Sequence, residues 1–145
     1  MSYAGVDDLY RLGVPARALT GVDDADKVES LLAASSVADS RLRKALTLPL
    51  LAWGDDLRRA VVHIAVYDLM VTRGFQPMGP DELIEKRYLD AVKWLKEIAS
   101  GDAIPDELVD SAPLTDELAP IVETSTERGW GSRLARSSRD PFEEE

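Results

Sequence analysis

His63 and Asp68 lie five residues apart in an otherwise apolar run, "AVVHIAVYDLMV", and His63 is the only histidine in the chain. A histidine and a carboxylate in one segment are the raw material of general acid–base catalysis. That chemistry also needs a nucleophile or a third orienting group within hydrogen-bond reach, and the sequence places no Ser, Thr or further carboxylate beside His63. A core histidine satisfied by a neighbour is the simpler reading. Asp68 is more demanding, because a carboxylate on a buried helix must find a partner or cost several kcal/mol. Arg58, Arg59 and Arg73 are the candidates, within the chain or across a subunit interface.

Two acidic clusters invite a cation reading. In "DDAD", residues 23–26, a calcium loop would need acids at alternate positions, a central glycine and a distant glutamate in register. These are missing, and helix capping with dipole complementation accounts for the cluster. "GDD", residues 54–56, has the letters of a polymerase metal motif, but that motif sits on a strand hairpin and this one enters a helix. The chain has no cysteine, no glycine-rich phosphate loop, no zinc-ligand spacing and no nucleophile elbow. Gly129-Trp130-Gly131 matches no cofactor motif. The expectation is a protein with no catalytic residue, no cofactor and no metal, and not an enzyme.

The elements that would position these side chains are all helical, and no strand pattern of any length is present. At 145 residues the chain has the length of one domain. A short helix over residues 6–12 stops at Gly13 and the Val14-Pro15 pair. A second starts at Asp23 or Asp24 and runs to Lys44, with Val28, Leu31, Leu32, Ser35, Ala38 and Leu42 as its apolar stripe. Pro49 and the extended connector "LTLPLLAW" lead to a third helix over residues 56–72, apolar on nearly every face. In a lone bundle that helix is more apolar than its few neighbours require, so part of it is expected to face another subunit. The fourth helix opens at Pro80 with Asp81 and Glu82 in its first turn, carries Ile84, Tyr88, Ala91, Leu95 and Ile98, and ends at Ser100 before a capping Gly101. The fold class is therefore all-α: a small bundle of three longer helices plus a short N-terminal one. No basic, apolar leader opens the chain and no apolar run reaches membrane-spanning length, so a soluble protein is expected.

After Gly101 the composition changes. The formal charge of −10 divides unevenly: residues 1–101 hold thirteen Lys/Arg against fifteen Asp/Glu, and residues 102–145 hold four Arg against twelve acids. Such a chain lacks the clustered cations that neutralise phosphates. Residues 1–101 read as the body and 102–145 as an acidic, extended arm that cannot bury enough surface to fold alone. Within the arm, "RGWGSRLARSSR" carries four Arg and no acid. Trp130, Leu134 and Phe142 read as apolar anchors on a partner, with Arg128, Arg133, Arg136 and Arg139 pairing to its acids.

Five stretches in this order carry a resemblance: the opening "MSYAGVDDLYRLG", the helix end "ADSRLRKALTLPL", the apolar helix "LRRAVVHIAVYDLM", the aromatic-led "RYLDAVKWLKEIASGD" and, more loosely, "SRLARSSRDPF". Together they resemble the small helical head-morphogenesis proteins of Mu-like tailed bacteriophages, of the head–tail connector (adaptor) type. The resemblance covers residues 1–101, with an echo at the end, and departs from the family at Trp53 and in the short connector. It implies a structural ring, commonly a dodecamer, in the virion neck, assembled after synthesis in the host cytoplasm. Its partners would be further copies of itself, the portal protein and the next neck or tail-completion protein. DNA would pass through the channel without specific binding, and no membrane is involved. A second reading of the same charge distribution is a small acidic helical regulator or inhibitor that binds a basic partner.

Overall fold

A helix apolar on nearly every side needs walls on nearly every side, and the rest of the chain supplies them. The computed structural model describes residues 1–74, 79–105 and 107–112. Helix α1 (Val6–Asp8) runs into a single π-helical turn, Leu9–Gly13, and a 3₁₀ turn, Ala16–Leu19, follows. The three long helices are α2 (Asp24–Leu42), α3 (Asp55–Thr72) and α4 (Glu82–Ser100), the last entered through a 3₁₀ turn at Gly79–Asp81. The chain is all-α, and the described residues form no strand beyond one isolated antiparallel bridge.

Helix α3 is the centre. Leu57, Ala60, Val61, Val62, Ile64, Ala65, Val66 and Leu69 are all buried, against α2 on one side, α4 on another and the π turn on a third. Each fully buried aliphatic side chain contributes about 1.5–3 kcal/mol. The expected apolar surplus on this helix is thus absorbed within the chain; of its large apolar residues only Val71 is exposed. Tyr67 stacks on Tyr88 of α4, ring centroids 4.1 Å apart.

Helix α2 buries Leu31, Ser35, Ala38 and Leu42 of the stripe its spacing suggests, but not Val28 and Leu32. Asp23 caps it, its carboxylate accepting from the Asp24 N–H at 2.8 Å. Lys27, Ser30, Leu31, Ala34, Ser35, Ala38 and Leu42 face inward, while Val28 and Leu32 are nearly half exposed. The buried lysine explains the rotation. Its stem is covered, its Nζ donates to Asp24 at 2.7 Å, and its charge lies 5.7 Å from the centre of the Tyr10 ring. Ser30 Oγ donates to the Ala65 carbonyl at 3.1 Å, tying α2 to α3.

The N-terminal segment is held by Tyr3. Its backbone N–H donates to Ser35 Oγ at 3.1 Å, its hydroxyl donates to Asp39, and its carbonyl accepts from Trp53 Nε1 at 3.0 Å. The Tyr3 and Trp53 rings meet edge to face, 5.0 Å apart. Burial first, then the hydrogen bond to Asp39, pushes the Tyr3 phenol well above its ordinary range. The connector, which includes a cis Leu48-Pro49 bond, receives residues 107–112: Val109 pairs with Ala52, its carbonyl accepts from Leu51 N–H at 2.7 Å, and Ser111 N–H donates to Thr47 at 3.1 Å. The body therefore continues past Gly101, and Met1–Pro113 forms one unit. Gly101 itself ends α4 in the left-handed conformation, φ 85°, that favours glycine.

At Gly13 the π turn meets α3 so closely that a Cβ would lie 2.9 Å from methyls of both Val62 and Val66. Gly13→Ala is expected to cost about 1–3 kcal/mol through overpacking. Ser35→Ala, which strips the buried Tyr3 N–H of its acceptor, should cost a comparable ~1–3 kcal/mol. Urea unfolding followed by circular dichroism checks both, with Ser36→Ala, on the exposed side of α2, as the near-neutral control.

Candidate functional site

The described residues gather their unused polar chemistry in two places. On one side, half-buried His63 sits between α3, α4 and the π turn. Its pKa is lowered by burial first and then by the Arg87 guanidinium, against a hydrogen bond to the Leu12 backbone that raises it; Arg59 lowers it and Asp90 raises it more weakly. Arg87 also donates to the Gly13 carbonyl at 3.2 Å. His63 thus seams three elements together, and its described surroundings hold no hydroxyl nucleophile of the kind acyl transfer uses.

On another side, a groove of about 450 Å³ runs between the start of α2 and the end of α3. Asp26, Glu29 and Asp68 line it, with Val22, Ala33 and Leu69 as its apolar portion. Solvent reaches Asp68, yet the groove withdraws enough water to raise its carboxyl above the ordinary value. None of its three candidate arginines pairs with it among the described residues. Arg58 bonds Asp55 at 3.3 Å. Arg73 donates to the carbonyls of Ala18 and Thr20, the latter at 2.9 Å. Arg59 lies in the shallow trough with His63, Asp56 and Asp90. Asp68 and Arg73 line the same groove as Asp26 and Glu29, while Arg58 and Arg59 lie outside it.

The acidic clusters serve the helices. Asp23 caps α2, Asp24 holds Lys27, and Asp55 joins Arg11 and Arg58. Gly54 takes the cap position of α3, and Asp55 is its first residue. Trp130, Leu134, Phe142, Arg128, Arg133, Arg136 and Arg139 lie outside the described residues.

Helix α2 carries a feature that the stripe reading passed over. Ala25, Val28, Leu32, Ala33, Ser36, Val37 and Ser40 all lie on its exposed side, with Val28, Leu32 and Val37 each more than two-fifths exposed. Between Asp26 and Asp39 the only charge on that side is Glu29. A surface helix ordinarily shows a charged face to water. The signal was present in the sequence as a helix whose small and apolar residues occur at every angle.

Residues 2–116 match the family described as Bacteriophage Mu, Gp36. The chain belongs to that family. The match includes the described body and ends before the Arg-rich stretch at 128–139. No curated protein matches the chain. Among the described residues of this Gp36-family chain, no helix is long and apolar enough to cross a membrane, and no group of three or more His, Cys, Asp or Glu is placed to hold a metal ion.

The lone His63 gives the family body a legible pH dependence. An unfolded imidazole takes its proton near 6.5, and the folded one lower. Between those values the unfolded state binds more protons, so stability is complete above the ordinary value and falls as pH drops through it. Unfolding midpoints measured between about pH 7.5 and about pH 5.5 should decline in the wild type, and His63→Gln should flatten that slope.

Proposed function

We propose that this Gp36-family chain is a non-enzymatic structural subunit of a phage neck, of the head–tail connector type. Copies form a ring beneath the portal and extend the DNA channel toward the tail. The observation that carries the reading is the family match across the described body, joined to an all-α body that leaves an apolar helix face uncovered. His63 seams helices together, and the acids of the 23–26 cluster cap α2 and hold Lys27, which suits a structural role. Residues 1–113 hold thirteen Lys/Arg against nineteen Asp/Glu, so a channel built from this body would let phosphates slide rather than hold them. The Arg-rich part of the arm, beyond the family match, serves to grip a neighbour: the portal or the next neck protein.

Negative-stain imaging of the purified full chain with portal-bearing capsids tests this. A layer capping the portal is expected. A small soluble complex with one basic protein, and no capping layer, would instead make the chain an acidic regulator. Removing residues 128–145 should leave the helical circular-dichroism signal intact and abolish docking; unimpaired docking of the truncated chain would defeat the role given to the arm.

A further inference from the structure

The uncovered face of α2 has a counterpart on α4. Lys86, Leu89, Lys93 and Lys96 are all exposed and recur at the three- and four-residue spacing of one helix face. Leu89 is 56 % exposed, more than Leu32 at 45 %. Lys86 and Lys96 enter no salt bridge among the described residues, and Lys93 reaches only Glu97, at 3.8 Å. Glu82 stands at the N-terminal end of this row and Glu97, the partner of Lys93, at its C-terminal end, with Glu85 and Asp90 to either side. On α2 the matching row is Ala25, Val28, Leu32 and Ser36, flanked by Asp26 and Glu29, neither of which has an ion-pair partner among the described residues. One face is apolar with acids beside it; the other has an apolar centre among lysines.

We propose that these two faces are the two halves of one interface: the α2 face of one copy, through Val28 and Leu32, packs on the α4 face of the next copy around Leu89, with Asp26 and Glu29 opposite Lys86 and Lys96. The charges choose between arrangements. An α2-to-α2 contact would set the acids against acids, and an α4-to-α4 contact would set lysines against lysines. Only the unlike pairing covers the apolar residues while matching charge. Because the two patches differ, the contact is head-to-tail, and such a contact propagates from copy to copy until its rotation closes a ring. The proposal rests on the ring reading above and adds which surfaces build it.

The absence of cysteine makes the test direct. Leu32→Cys and Leu89→Cys, at exposed positions, are introduced singly and together into the full chain, mixed with portal-bearing capsids and treated with a short bifunctional maleimide. The double variant is expected to give a ladder of dimers, trimers and higher species, and each single variant to stay monomeric. Adding Glu29→Lys to the double variant should cut the ladder about tenfold, a cost of about 1.4 kcal/mol, and Lys96→Glu should restore it. Unchanged thermal unfolding of each variant establishes that it is folded. Dimers from Leu32→Cys alone would place α2 on α2 and overturn the proposal. A ladder that charge reversal leaves untouched would overturn the charge pairing. A capping layer in micrographs without a ladder removes these faces and leaves the connector role standing; a ladder without a capping layer does the reverse. Neither a ladder nor a layer removes both.

Discussion

Everything else in the body is arranged by the enclosure of α3. With eight of its eighteen residues buried, it is an apolar rod that a chain of this length must wrap from several directions. Helices α2 and α4 form two walls and the π turn a third. The close approach of Gly13 to Val62 and Val66 shows how tightly that third wall is drawn. Interiors packed to crystal-like density leave little room for even one methyl group. The short N-terminal helix, which could not persist in water alone, is stable here because it is part of the casing of α3.

Polar groups then lock the casing in place. Tyr3 joins the N-terminus to α2 and to the connector through three hydrogen bonds that use both backbone groups and its hydroxyl. Ser30 and Ser35 each donate to a backbone carbonyl inside the bundle, and the described buried side chains leave no polar atom without a partner. These bonds are individually worth about 1 kcal/mol. Their larger effect is directional, since apolar walls could slide along α3 whereas satisfied buried donors cannot move without losing their acceptors. The arginines follow the same logic: Arg73 and Arg87 donate to loop carbonyls that would otherwise end their segments unbonded.

Local signals made much of this readable. Asp23, Gly101 and the acids at the start of α4 mark helix ends because caps and dipoles act over one turn. The spacing of Ala91, Leu95 and Ile98 gives the buried face of α4 directly, since that helix separates its apolar and charged residues. On α2 the same spacing gives Leu31, Ser35, Ala38 and Leu42 but sets the edge of the stripe at Val28 and Leu32, where the chain buries Lys27, Ser30 and Ala34 instead. Ala33, Ala34, Ser35 and Ser36 offer nearly the same volume at every angle, and the decision falls to contacts that are distant in sequence: Lys27 with Tyr10, and Ser35 with Tyr3. The return of residues 107–112 to the connector is of the same kind. A single bridge between Ala52 and Val109 leaves no periodicity to detect. Of the arginines considered for Asp68, Arg58 turns to Asp55 on its own helix, and Arg73 is drawn to the Ala18 and Thr20 carbonyls, a segment whose path no local rule predicts.

The rotation of α2 also relocates the reason to expect assembly. An apolar α3 seemed to require neighbours beyond the chain, yet α3 is satisfied by its own walls. The unsatisfied surface is on α2, where turning Lys27 inward carries Val28 and Leu32 out toward water. Burying a lysine stem and leaving two aliphatic side chains nearly half exposed is an unfavourable exchange for an isolated chain, because each Å² of apolar area left in water forgoes about 25 cal/mol. The exchange becomes favourable when a second surface covers what the rotation exposes. The same turn keeps Glu29 and Asp26 beside the exposed aliphatics without ion-pair partners among the described residues, which is why the covering surface proposed above is one that brings positive charge. A single choice of rotation, with Lys27 turned to Asp24 and Tyr10, therefore shapes both the core of the body and the face through which the proposed contact is made.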